Sequence, residues 1–305
     1  MAAGDTRCGF VAVIGEPNAG KSTLVNAMVG AKVSIVTHKV QTTRTRIRGI
    51  AIEGAAQIVF VDTPGLFQPR RRLDRAMVAA AWAGVGDADI VLLMVEAHRG
   101  VIEGVAAILD GLDAHLPKQR PLALVVNKID RVRRDRLLAL VDELNRRRDF
   151  AETFLISADR GDGVADLRRW LAGTLPEGPW NYPEDQIADA PLRQIAAEIT
   201  REKLTLRLHQ ELPYQMMVET ENWEERKDGS VRIDQVIYVA REGHKGIVLG
   251  RKGETIRQIG AEARAEIGRL LERRVHLFLT VKLRPGWLDE PERYREMGLD
   301  FSDGG

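Results

Sequence analysis

Three short stretches in the first half of the chain combine residue types and spacings suited to holding a nucleoside polyphosphate. The first is Gly15-Glu16-Pro17-Asn18-Ala19-Gly20-Lys21-Ser22-Thr23, which follows a strand-like apolar run and leads into a helical pattern. Its glycines let the backbone curl until its N–H groups and a helix N-terminus face phosphate oxygens. Lys21 is then placed to reach the β- and γ-phosphates, and the Ser22 hydroxyl to ligate a Mg²⁺ ion held between them. The second stretch is Asp62-Thr63-Pro64-Gly65, where an apolar strand delivers a carboxylate that would act on Mg²⁺ through water. Gly65 can offer its N–H to the γ-phosphate because no side chain blocks close approach.

The third stretch, Asn127-Lys128-Ile129-Asp130, would choose the base. A carboxylate accepts from both N1–H and the exocyclic amino group of guanine, and adenine lacks that donor pair. This makes an ATP-dependent enzyme the disfavoured reading. Ser157-Ala158 could lend a backbone N–H to guanine O6, a reading that rests on position alone. Between the first helix and the second strand, Gln41-Thr42-Thr43-Arg44 offers a hydroxyl for Mg²⁺ and for sensing the γ-phosphate, with Thr43 preferred over Thr42.

These stretches need a scaffold that brings strand ends together. Strand-like runs are expected at 10–14, 57–61, 89–95, 121–126 and 153–156, with a further strand over 46–53. Helical patterns fall at 21–29, 73–83, 102–115, 134–147 and 164–171. That alternation predicts an α/β fold with a mostly parallel sheet. Prolines 176, 179 and 183, with Gly178, break both periodicities and mark a linker. Beyond it the pattern reads helix 192–209, strand 214–221, strand 231–241, helix 245–259, helix 261–271 and strand 274–283, with Asp228-Gly229 as a hairpin turn. Trp180, Trp223 and Trp287 are read as packing anchors.

In the second region Gly250-Arg251-Lys252-Gly253 is a Gly-x-x-Gly loop between helical stretches. Two glycines admit a close backbone, and Lys245, Arg251, Lys252 and Arg257 would place cations on RNA phosphates. Ile247, Leu249, Ile256 and Ile259 are expected as an adjoining apolar wall. Residues 190–305 hold 20 Lys plus Arg against 20 Asp plus Glu, and the whole chain carries a formal charge of +1. Binding must therefore come from that local cluster, which favours single-stranded readout over electrostatic coating and gives no expectation of DNA. One cysteine, Cys8, predicts a reducing, cytoplasmic compartment. Charges interrupt every hydrophobic segment, so any membrane contact, at the inner face of the cell membrane, is expected to be peripheral.

Together these motifs resemble the Era family of GTPases, and the resemblance spans nearly the whole chain. It implies an α/β P-loop GTPase domain over 1–176, a linker over 177–190 and an α+β type II KH domain over 191–305. It also implies GTP/GDP and Mg²⁺ as ligands, the 3′ end of small-subunit ribosomal RNA as partner, and a role in maturation of the 30S-type small subunit. The implied nucleotide site is 15–22, Thr43, 62–65, 127–130 and 157–158. In Ras-like GTPases a glutamine after Asp-x-x-Gly orients the attacking water, but here that place is Leu66, which cannot hydrogen-bond water. The resemblance implies slow hydrolysis, with Lys21, Thr43, Gly65 and Asn18 as the catalytic candidates. Related GTPases with an asparagine matching Asn18 bind K⁺ beside the phosphates, where it would offset developing charge. The bland reading of Leu66 is packing, and of Asn18 the stabilisation of a turn. A signalling switch acting through protein effectors or a membrane surface is the alternative function.

Overall fold

The computed structural model describes residues 6–36, 48–69, 71–208, 212–287, 290–297 and 299–301. Its contacts divide the chain into two units. One comprises Met1–Ser34, Val40–Asp189 and Arg295–Gly305, and the other Ile35–Lys39 and Ala190–Tyr294.

The first unit runs β1 (Arg7–Gly15), α1 (Lys21–Val29), β2 (Arg48–Glu53), β3 (Ala56–Asp62), α2 (Arg72–Asp87), β4 (Ile90–Glu96), α3 (Glu103–His115), β5 (Leu122–Asn127), α4 (Arg134–Arg147), β6 (Glu152–Ile156) and α5 (Val164–Thr174). Its six strands lie in the order β2-β3-β1-β4-β5-β6, parallel except for the antiparallel pair of β2 with β3. Every residue of β3, β4 and β5 is buried, as expected of strands covered on both faces, which explains their unbroken apolar runs. β1 lies between β3 and β4, so the strand order reverses beside it. Ligands of open α/β sheets bind in the crevice at such a point. The register pairs Val13 with Asp62, Gly15 with Met94 and Glu96 with Asn127, bringing the carboxyl ends of four strands to one edge.

The stretch expected as a linker is laid along this unit as a strap. Glu177 bridges to Arg7 at the start of β1, and Ala188 bridges to Gly49 in β2. Midway, Gln57 of β3 is fully buried; its Oε1 accepts from the Asn181 and Tyr182 amides at 2.9 and 3.0 Å, and its Nε2 donates to the Tyr182 carbonyl at 2.8 Å. Trp180 donates to the Ala55 carbonyl. At the far end the Asp189 amide donates to the Arg48 carbonyl, and the Arg48 guanidinium reaches both Asp189 and the Tyr182 hydroxyl. Arg48 is paired with Val61 in the sheet, so the strap ends level with the Asp62 edge. Proline and glycine had broken the local periodicity, but the hydrogen bonds that order this stretch come from side-chain and backbone groups far away in sequence.

The second unit runs α6 (Leu192–Arg207), β7 (Met216–Glu225), β8 (Val231–Val239), α7 (Glu242–Leu249), α8 (Glu254–Leu271), β9 (Val275–Leu283) and the first part of α9 (Pro291–Glu296). β7 and β8 are antiparallel and β8 and β9 parallel, forming a separate three-stranded sheet. The hairpin turn stands as expected, with the Arg226 amide donating to the Ser230 carbonyl and Gly229 at φ 79°. The Gly-x-x-Gly loop at 250–253 does separate two helices, and the further break expected at Gly260 is absent, α8 running through it. Gly250, at φ 71° and ψ 179°, leaves the helical region altogether, whereas Gly260 sits inside α8 facing Leu279. Of the expected apolar wall, Ile259 is fully buried in the core, Leu249 and Ile256 pack against it, and Ile247 is 54% exposed. Trp287 is buried, as an anchor should be.

Candidate functional site

The phosphate cradle begins where β1 ends. Gly20, at φ 100°, caps α1, and a Cβ there would stand 2.2 Å from Asn127 Nδ2. At Gly15 a Cβ would meet the Met94 carbonyl at 2.4 Å, and at Gly65 it would meet the Pro17 nitrogen at 2.8 Å. Three backbones thus approach as only glycine permits. The loop containing Asp62 is tied to the same place, the Leu66 amide donating to the Gly15 carbonyl at 3.0 Å.

Lys21 is buried, its ammonium donating to the Gly15 and Glu16 carbonyls at 3.1 and 2.8 Å. Burial pushes its pKa down to about 8, against the opposing pull of the Asp62 and Glu16 carboxylates. Burial also raises Glu16 above the usual carboxylate range, partly countered by Arg99 and Lys21. Ser22 donates to the Asp62 carboxylate at 2.9 Å, so the two expected Mg²⁺ partners stand together. A hydroxyl and a carboxylate are the hard oxygen donors this ion takes, leaving its other positions to phosphate oxygens and water. The residues present therefore fit Mg²⁺. Thr43 and its rival Thr42 lie outside the described residues.

Three expected contact residues also brace the site. The Thr63 hydroxyl donates to the Val13 carbonyl, holding the strand end. Asn127 donates from Nδ2 to the Ala19 carbonyl at 2.8 Å and accepts at Oδ1 from the Ala158 amide at 3.0 Å, joining the cradle to the 157–158 turn. Lys128, at φ 62°, donates to the Asn18 carbonyl at 2.8 Å. Asn18 itself is at φ 67°, a conformation asparagine tolerates better than most residues, so the turn-stabilising reading has a physical basis. Leu66 is buried in the core with Ile14 and Leu93, so its side chain packs there.

Asp130 carries the carboxylate expected to read the base. It accepts from Ser157 Oγ at 2.9 Å and lies 3.7 Å from Arg160, and that hydroxyl, helped by Arg160, holds its pKa below the usual carboxylate range. It is an acceptor at neutral pH, which a guanine edge requires. Glu96, at the end of β4, also belongs to this site through Lys128. The sequence signal for it was a carboxylate closing an otherwise apolar strand, the same signal that marked Asp62.

In the second unit the loop from Gly250 to Gly253 turns sharply. A Cβ on Gly250 would stand 2.1 Å from Thr255 Oγ1, and one on Gly253 would point into open space. Lys252 is held at φ 51°, an uncommon conformation for a side-chain-bearing residue. Arg251, Lys252 and Arg257 are exposed and Lys245 half-buried, and none of the four forms an ion pair among the described residues. Those cations are available to an outside anion.

Residues 10–128 match the model of the 50S ribosome-binding GTPase family, and residues 211–288 match the KH domain. The GTPase Era of Dinoroseobacter shibae is 72% identical over 302 residues, covering 99% of this chain and 98% of that protein. This chain belongs to the Era GTPase family. The GTPase Era of Rhizobium meliloti is 64% identical over 97% of this chain and 94% of its own length. Two solved Era structures each align at a TM-score of 0.89 with 37% identity, over 96% of this chain and 99% of theirs. One holds MgGDPNP and nucleotides 1506–1542 of 16S ribosomal RNA. The other, an Aquifex aeolicus variant, holds GDP and AlF4⁻. As an Era GTPase the chain hydrolyses GTP, and its KH domain is the unit that carries the Gly250 loop.

Because phosphate oxygens brought beside Lys21 raise its pKa, nucleotide binding above pH 8 should take up a proton, and affinity should fall as pH rises through that value. Calorimetric titration with GDP at pH 8.5, in two buffers of different ionisation enthalpy, reads this directly. Identical heats in the two buffers would refute it.

Proposed function

We propose that this chain uses GTP binding and hydrolysis to gate its hold on single-stranded RNA at the 3′ end of small-subunit ribosomal RNA, in the maturation of the small subunit. The observation that carries the RNA half is the Gly250 loop, where sharp backbone turns leave Arg251 and Lys252 exposed, with no ion pair for either among the described residues. The Era structure bound to 16S nucleotides, aligned over 96% of this chain, supports that choice of RNA.

On the nucleotide side, Lys21 would meet the β- and γ-phosphates, the Gly65 N–H the γ-phosphate, and Asp130 the guanine. Ser22 and Asp62, with Thr43, would hold Mg²⁺, which supplies charge neutralisation across the phosphate oxygens. Leu66 supplies no hydrogen bond to water, which supports slow hydrolysis. The strap supports the gating. Arg48 follows Thr43 by five residues in the chain, and Asp189 stands one residue before the KH unit. Two hydrogen bonds, one of them an ion pair at 3.0 Å, join these places directly. A change in the chain ahead of Arg48 on binding the γ-phosphate would be felt at Asp189.

Reversing both loop charges, Arg251→Glu with Lys252→Glu, should weaken binding of a ribosomal 3′-end oligonucleotide by roughly 100-fold, given the strength of charged hydrogen bonds, while GTP affinity holds. Filter binding checks this, and retained RNA affinity would reject the loop assignment. A signalling switch acting through protein effectors would give no oligonucleotide binding even in the unaltered chain.

RNA affinity should also differ between GDP and a non-hydrolysable GTP analogue, and Arg48→Ala should bring the ratio toward one. Equal affinities in the unaltered chain remove the gating. A ratio that survives in Arg48→Ala removes the strap's part in it.

A K⁺ ion beside Asn18 would make hydrolysis faster in K⁺ than in Na⁺, and equal turnover in the two salts would dismiss it.

A further inference from the structure

Glu96 closes β4 with a carboxylate only 8% exposed. Its Oε1 accepts from the Lys128 ammonium at 2.6 Å and lies 3.2 Å from His98 Nδ1. The same ammonium donates to the Asn18 carbonyl of the phosphate cradle. The turn that follows is fixed from both sides. The Ala97 amide donates to the Asn127 carbonyl at 2.8 Å, and the Arg99 and Gly100 amides donate back to the Glu96 carbonyl at 3.1 and 3.2 Å. From this turn Arg99 reaches the Glu16 carboxylate at 3.7 Å. The start of α3 leaves room for Glu16, since a Cβ at Gly104 would collide with its carboxylate.

One turn, outside every nucleotide-binding motif of the sequence, thus grips the cradle at two points: the Asn18 carbonyl through Lys128, and the Glu16 side chain through Arg99. We propose that Glu96 is a positioning residue for guanine-nucleotide binding, holding the Lys128 ammonium on the Asn18 carbonyl and so fixing the curl of the phosphate loop. A Lys128 ammonium without this acid has a route to water, being 22% exposed, and the Asn18 carbonyl would then lose a well-placed charged donor. Glu96 acts through Lys128, the side chain its carboxylate holds.

The test is the release rate of a fluorescent GDP analogue from the full chain. Glu96→Ala should release it about tenfold faster, the scale set by one charge-assisted hydrogen bond. Glu96→Gln keeps an oxygen acceptor without the charge and should fall between. If Glu96 acts through Lys128, the double variant Glu96→Ala with Lys128→Ala should release GDP no faster than Lys128→Ala alone. A general loosening of the fold would not produce that saturation. An unchanged rate in Glu96→Ala, or single effects that multiply in the double variant, overturns the proposal. Should Glu96→Ala fail to fold, Glu96→Gln carries the comparison in its place, alone and with Lys128→Ala.

Discussion

A single side-chain amide, that of Asn127, holds the nucleotide site together. It is 1% exposed, and it ties the cradle at Ala19 to the turn at Ala158, two places that are 139 residues apart in sequence. Because both ends of the amide are used in a buried setting, removing it would orphan a backbone carbonyl and a backbone N–H at once, each costing about 1–3 kcal/mol. The phosphate half and the base half of the site therefore share one frame. Lys128 and Asp130 follow on the same turn, so the carboxylate proposed to read the base is placed by the bond that secures the phosphate loop. Gly20 completes the arrangement by leaving the space that Asn127 occupies.

What could be read in the sequence was whatever lies contiguously at the end of a strand. Gly15 to Ser22, Asp62 to Gly65 and Asn127 to Asp130 each carry their chemistry within a few residues, and the parallel sheet brings strand ends together with no further information. Residues that act across long separations were illegible for the same reason. Gln57 looks like a polar interruption of an apolar strand until the strap is laid over it, and Glu96 like a polar strand terminus until Lys128 reaches it. The stretch 177–190 looked loose because its prolines and glycine break local periodicity, and periodicity says nothing about partners 125 residues away. The further helix break expected in the KH unit has another origin: a glycine inside a helix and a glycine ending one differ in backbone conformation, which the residue type alone does not reveal.

The two units use glycine against opposite constraints. Around the phosphate cradle, missing side chains let segments of the same protein touch, and every such gap is already filled by protein atoms. In the KH loop, Gly250 answers an internal contact with Thr255, but Gly253 faces open space. Lys252 accepts an uncommon backbone conformation between them. The nucleotide site is thus built around internal closeness, and the KH loop around an exposed, turned backbone.

The strap has a consequence for how the protein is made. β2 is an edge strand of the six-stranded sheet, and such an edge offers unpaired backbone groups to any passing strand. Here the bond from the Ile50 amide to the Ile187 carbonyl, and that from the Asp189 amide to the Arg48 carbonyl, cap part of that edge. A ribosome adds residues in order, so the sheet stands complete, yet with this edge uncapped, until the chain has grown past residue 189. For that interval the nascent first unit carries a sticky margin, and the segment that silences it is the last piece made before the RNA-binding unit begins.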